Sequence, residues 1–200
     1  MIRSAIVLAG LVVAATGTSL FAQGTTRAVP REFDHVRTLG RALAEYNDQR
    51  IQVAAAYYYS QSNHEFPWLL IELGALGRLP TTIERDRIEL VTPRGRVVPL
   101  ASQARWARDT TRNTLLLQRA ATLRHPVASY FKAVNGQTSL RFFTQPPNPG
   151  TVQQEVRLMP DELALGDLLF ESPTRLWDEG TYALVVRYDG AEAVLPIELQ

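Results

Sequence analysis

The chain has 200 residues, 21 basic against 20 acidic side chains, three histidines and no cysteine. That length suits one domain, and a hydrophobic content of 46% excludes wholesale disorder. The missing cysteine excludes disulfide frameworks, thiolate nucleophiles, cysteine-based zinc sites and a lipidated N-terminal cysteine, and a formal charge of +1 excludes a chain organised around overall charge.

Residues 1–22 read as a secretory signal peptide. Arg3 is the positive start, Ala5 to Ala15 is almost entirely apolar, and Leu20 and Ala22 occupy the −3 and −1 positions of a cleavage after Ala22. The apolar run, about 11 residues, is far short of the roughly 20 that span a bilayer. No second long apolar stretch follows, so no transmembrane segment is expected in the mature chain. Export without cysteine suits a bacterial periplasm or exterior.

Charge is unevenly spread behind that leader. Residues 23–89 carry a net −1, residues 90–154 a net +8 with Asp109 as their one acid, and residues 155–200 a net −7. Either the basic middle folds against the acidic end, or it presents a face to an anionic partner.

In chain order, Gln23 to Arg31 reads as a flexible leader. Phe33, Val36, Leu39, Leu43 and Tyr46 recur every three or four positions and predict an amphipathic helix ending near Arg50, so residues 23–50 form a leader and helix packed on the rest. Residues 51–200 form the main domain. Ile51 to Tyr59 and Trp68 to Leu73 predict strands around a polar loop from Ser60 to Pro67, and Gly74 to Pro80 a second loop. Ile88 to Val91 and Arg96 to Leu100, joined by Thr92-Pro93-Arg94-Gly95, predict a β-hairpin with Pro99 on an edge.

Ser102 to Arg124 lacks Gly and Pro and predicts an Arg-rich helix, capped by Ser102 and stopped by His125-Pro126. Strands follow at Leu140 to Thr144, Val152 to Leu158 and Leu168 to Glu171, with a rigid loop from Gln145 to Gly150. A last hairpin runs through Tyr182 to Tyr188, Asp189-Gly190 and Ala193 to Leu199. The count is about eight strands and two helices. Val156, Leu158, Leu184, Val186, Leu195 and Ile197 are the expected core, with Trp177 and Tyr182 structural.

Two stretches carry a resemblance. Ile83 to Leu100 looks like a recurring loop, strand, turn and strand unit of secreted bacterial immunoglobulin-like sandwiches. Leu165-Gly166-Asp167-Leu168-Leu169-Phe170-Glu171-Ser172-Pro173, followed by Gly180-Thr181-Tyr182-Ala183-Leu184-Val185-Val186, is similar to a segment of the telokin-like extracellular domains of bacterial lipoproteins and secreted mycobacterial antigens. The resemblance covers about half the mature chain through short structural motifs. It implies a mainly β, antiparallel immunoglobulin-like β-sandwich and no catalytic residues. The chain departs from that pattern in its N-terminal helix, its Arg-rich helical insertion at about 102–124 and its missing lipobox cysteine. Many short alternating strands between Gly/Pro turns predict the same class independently.

Catalytic and metal signals are thin. His35, His64 and His125 lack metal-ligand spacing, no Gly-x-Ser-x-Gly elbow exists, and Gly95 and Gly136 stand alone rather than in a phosphate loop. No cofactor and no enzymatic activity are expected. Two surfaces stand out instead. Tyr58 and Trp68 flank the polar loop, His64 lies within it, and together they offer an aromatic recognition surface, unless those rings pack under the N-terminal helix. Arg105, Arg108 and Arg112 lie on the Arg-rich helix. They either pair with the acidic end, bind anionic envelope polymers or lipid head groups, or hold a protein partner. Nucleic acid is not an expected partner of an exported chain without base-stacking motifs. The reading is an exported interaction or structural module of the bacterial envelope, bound to a protein, glycan or anionic surface component. Its alternative is a small extracytoplasmic hydrolase that brings His125 and an acid beside His64.

Overall fold

The computed structural model describes residues 25–123, 127–132, 134–144 and 150–200. The segment expected to be a signal peptide, residues 1–22, His125 and most of the proline-rich loop, residues 145–149, lie outside the described residues.

The chain is mainly β. Eleven strands among the described residues form two mostly antiparallel sheets. The first sheet contains β1 (Val36–Thr38), β2 (Leu43–Asn47), β3 (Ile51–Ala56), β4 (Trp68–Gly77), β9 (Glu162–Glu171) and β7 (Gly136–Ser139), in that spatial order. Its β7–β9 pair is parallel. The second sheet runs β11 (Ala191–Leu199), β10 (Gly180–Tyr188), β5 (Thr81–Val91), β6 (Val97–Pro99), and β8 (Glu155–Leu158) pairs with the first half of β5.

The inner faces of the two sheets share one apolar core. Ala44, Val53, Ile71 and Phe170 come from the first sheet, and Ile83, Leu90, Leu184 and Ile197 from the second, all without exposure. The expected core residues Val156, Leu158, Leu184, Val186, Leu195 and Ile197 all lie there, as do Trp177 and Tyr182. Burial at this density is the main stabilising contribution to such a fold.

The N-terminal helix is not formed. Residues 31–50 are a loop followed by the β1–β2 hairpin. His35 and Gly40 sit at φ of 60° and 70°, left-handed values that no continuous helix accommodates. The five apolar residues do not share a face. Val36 and Tyr46 enter the inter-sheet core, Leu39 and Leu43 pack on the outer side of the first sheet, and Phe33 lies against the outer side of the second. The leader is also anchored, with Val97 donating to the Thr25 carbonyl at 3.1 Å and Arg27 to the Gly95 carbonyl at 2.7 Å.

Other boundaries shift as well. The loop expected at Gly74 to Pro80 is mostly strand, since β4 continues to Gly77. Leu140 to Thr144 is irregular, and the strand in that region precedes it as β7. Both expected hairpins form, with Pro99 on an edge strand of the second sheet and Asp189-Gly190 joining β10 to β11.

The Arg-rich segment is helical but broken. It comprises α2 (Gln103–Arg108) and α3 (Thr110–Ala121), and the Ser102 side chain caps the start by accepting from the Arg105 amide at 3.1 Å. This pair and a 3-10 turn at Val127–Tyr130 lie on the outer face of the first sheet, making a third layer.

Candidate functional site

Of three consecutive tyrosines at the end of β3, Tyr58 and Tyr59 lie under that layer. Continued β-alternation would place Tyr57 and Tyr59 on one face and Tyr58 on the other. Instead the chain leaves β3 and turns through α1 (Tyr58–Gln61). Tyr57 enters the inter-sheet core, Tyr58 packs by the 3-10 turn, and Tyr59 goes under α2 and α3. Ser60 fixes this turn, because its hydroxyl both donates to the Leu70 carbonyl and accepts from the Leu70 amide at 2.8 Å. The tyrosines are therefore not shared under an N-terminal helix. Helices from later in the chain cover Tyr59 and Trp68.

Trp68 is 1% exposed and unavailable as a surface ring. It meets Trp106 edge-on, with centroids 5.1 Å apart, and its indole N–H donates to Asp109 Oδ2 at 3.0 Å. Asp109 sits at the break between α2 and α3, so this bond pins the helical pair to β4. Tyr58 is half-buried with its hydroxyl over Gly40. His64 stands apart, with Nε2 3.9 Å from Glu179 Oε1 and Nδ1 buried without a hydrogen-bond partner among the described residues. The three loop residues thus do not converge on one surface.

The arginines divide. Arg105 grips Glu171 of β9 through both Nε and Nη2, the former at 2.8 Å, and stacks over Trp68 at 5.5 Å. The carboxylate raises its already high pKa. Arg94 reaches Asp178 at 3.6 Å. To this extent the basic middle folds against the acidic end. Arg108 and Arg112 are different. Both are exposed, Arg112 has only Asp109 at 3.4 Å, and Arg108 makes no ion pair with any described residue.

One turn and more beyond, Arg119 is exposed too and continues the Arg112 stripe seven residues on. Between Ser102 and Leu123 the one carboxylate is Asp109, already engaged by Trp68 and Arg112. The outer face of the helical layer is therefore cationic, with Asp109 as the one carboxylate of the helical pair. Exposed Leu115 and Leu123, at 38% and 48%, interrupt it.

Two clefts flank this layer. One, about 620 Å³, lies on the first sheet and is lined by Trp106, Leu117, Phe143, Glu72 and Asp167 among others. Glu72 and Asp167 are directly opposed in the β4–β9 register, and neither carboxylate is without an interaction partner. The other, about 520 Å³, lies between α1 and the end of α3 and is lined by Tyr59, Asn63, Leu115, Arg119 and Leu123 among others. Among the described residues no three potential ligands cluster to hold a metal ion. The sequence reading missed Asp109, Tyr59 and Arg119. Arg119 was legible from its spacing to Arg112, whereas nothing local announces Tyr59.

These features define a mainly β protein of two mostly antiparallel sheets with an arginine-rich helical layer on one of them. No protein-family model, curated protein or solved structure matches the chain. No helix of the described residues is long and apolar enough to cross a membrane.

Proposed function

We propose that the protein is an exported, non-catalytic interaction module of the bacterial cell envelope, an immunoglobulin-like sandwich whose helical layer docks an anionic envelope component. The observation that carries this reading is the exposure of Arg108, Arg112 and Arg119 on a helical layer with Asp109 as its one carboxylate. Exposed guanidiniums with one carboxylate among them oppose one another, and an anionic surface relieves that repulsion while accepting bidentate hydrogen bonds. The signal-peptide pattern of residues 1–22 supports export, and the two-sheet arrangement supports the immunoglobulin-like comparison.

The test is co-sedimentation of the mature protein with phosphatidylglycerol vesicles and with phosphatidylcholine vesicles. Binding to the anionic vesicles at low salt, lost at about 0.5 M salt, is expected because screening shortens the reach of exposed charge. The R108Q/R112Q/R119Q variant should fold normally and bind at least about tenfold more weakly, three cationic contacts each contributing on the order of 1 kcal/mol at such a surface. Equal binding by the variant, or no preference for anionic vesicles, overturns the reading.

A further inference from the structure

Tyr59 presents a contradiction in packing terms. It is 4% exposed and sits among Trp68, Trp106, Leu116 and Leu169. A phenylalanine ring fills such a cluster equally well. Yet the hydroxyl is buried and has no hydrogen-bond partner among the described residues. A buried hydroxyl without a partner adds nothing to the stability of the free protein and slightly opposes it.

The same tyrosine lines the shallow groove of about 520 Å³, largely open to solvent, between α1 and the last turns of α3. Arg119 lines it as well, close enough to act on the phenol. Burial pushes the Tyr59 pKa up, and the Arg119 guanidinium, by its charge and as a donor directed at the phenol oxygen, pulls it partly back. Leu115 and Leu123, two of the large apolar side chains left exposed on the molecule, border the same groove. A donor, a cation and an apolar wall therefore meet in one place.

We propose that this groove is a subsite for an anionic amphiphile, whose head group takes the Tyr59 hydroxyl and the Arg119 guanidinium as donors and whose chain lies along Leu115 and Leu123. The inference rests on the reading of the helical layer as an anion-binding face and names the chemistry of its partner. An oxyanion accepts both hydrogen bonds at once, and bonds to a charged acceptor are about twice as strong as neutral ones. The Tyr59 hydroxyl is shielded, so the head group reaches it by a rotamer change of Arg119 or Leu123, both exposed. Burial of the alkyl chain raises the affinity with each methylene covered.

The experiment is calorimetric titration with dodecyl phosphate below its critical micelle concentration, with inorganic phosphate and dodecyl maltoside as comparisons. Saturable one-to-one binding of dodecyl phosphate and a raised melting temperature are expected for the native protein. Inorganic phosphate, lacking the chain, and dodecyl maltoside, lacking the charge, should each bind at least about tenfold more weakly. Y59F should lose about tenfold in affinity without a fall in melting temperature, and R119Q should lose at least as much. R108Q/R112Q should bind dodecyl phosphate like the native protein while losing affinity for anionic vesicles, which separates the subsite from the ridge. Unchanged affinity in Y59F, equal binding of all three probes, or dodecyl phosphate lowering the melting temperature would each overturn the subsite and leave the vesicle test standing.

Discussion

Tyr188 and Tyr59 are both almost fully buried, at 2% and 4% exposure, and their hydroxyls have opposite surroundings. Tyr188 Oη donates to Asp48 Oδ2 at 2.8 Å and lies 3.4 Å from the Tyr46 hydroxyl, which itself donates to Asp48 at 3.1 Å. Asp48 also accepts from the Arg50 and Ile51 amides at 2.8 and 2.7 Å. This knot ties the β2–β3 turn of one sheet to β10 of the other. Under the helical layer the polar atoms are left over. Tyr59 Oη, Trp106 Nε1 and Asn113 Oδ1 are buried without hydrogen-bond partners among the described residues. Hydrogen bonding specifies the knot, whereas apolar packing and a few pins such as Trp68–Asp109 hold the cover. Most of the buried polar atoms without partners lie in the cover, with His64 Nδ1 and Trp177 Nε1 as the others among the described residues, so polar capacity remains there for something else.

The largest test of that contrast is Trp106→Ala. Trp106 is 1% exposed, meets Trp68 and Phe143 edge-on, and fills the space between α2 and β4. Its loss should cost about 4 kcal/mol, the usual range for deleting a buried tryptophan. Urea unfolding with a far-ultraviolet helical signal measures it. Trp106→Phe should cost markedly less, because the indole N–H makes no hydrogen bond to any described residue. If the two variants were equally damaging, the N–H would be a structural donor and the contrast with the knot would fail.

Asp48→Ala comes next, at about 3 kcal/mol, since it strands two tyrosine hydroxyls and two backbone amides. The same carboxylate gives an acid signature. Burial pushes its pKa up, but hydrogen bonds from the Ile51 amide, Tyr188, the Arg50 amide and Tyr46 hold it below the ordinary 3.8 overall. A carboxyl held low in the folded state contributes stability that is complete above its unfolded pKa and lost as pH falls through the folded one. The native protein should therefore lose stability below about pH 3.8 through this group, and Asp48→Asn should flatten that part of the profile. An unchanged profile in the variant would remove Asp48 from the acid response.

Much of the second sheet is legible in the sequence because one side of each strand is apolar and the turns are explicit. Tyr182, Leu184 and Val186 alternate before Asp189-Gly190, both of which adopt the left-handed φ that such a turn requires. The first sheet is harder. It is covered on both faces, so Leu43 to Tyr46 and Ile51 to Ala56 are buried at every position and lose the alternation that announces a strand. Residues 33–46 then mimic helical spacing. Gly74 reads as a loop residue but lies inside β4, where a Cβ would stand 2.7 Å from the Phe131 ring. The glycine answers a close approach from the covering layer, which no local pattern records. The site follows the same rule. Arg108 and Arg112 are readable as an exposed stripe, whereas the separation of Tyr57, Tyr58 and Tyr59 into three clusters depends on the Ser60–Leu70 bonds across to β4.

The smallest effects discriminate best. Tyr188→Phe removes one donor from a carboxylate that keeps Tyr46 and two amides, so it should cost about 1.5–2 kcal/mol, or roughly 3–8 °C in melting temperature for a domain of this size. Burial and the neighbouring Asp48 and Tyr46 push the Tyr188 phenol far above its ordinary pKa, so it remains a neutral donor at any pH at which the protein is handled. Tyr59→Phe removes a hydroxyl whose proton goes to no described acceptor, keeps the ring, and should change stability by no more than about 0.5 kcal/mol, with a small gain as the favoured sign. Matched thermal melts of the two variants place both hydroxyls on one scale. A loss at Tyr59 equal to that at Tyr188 would make the hydroxyl a structural bond of the cover, and the groove would then hold no spare donor. A loss at Tyr188 alone leaves Tyr59 as a buried hydroxyl that contributes nothing to folding, which is the condition for its serving a ligand.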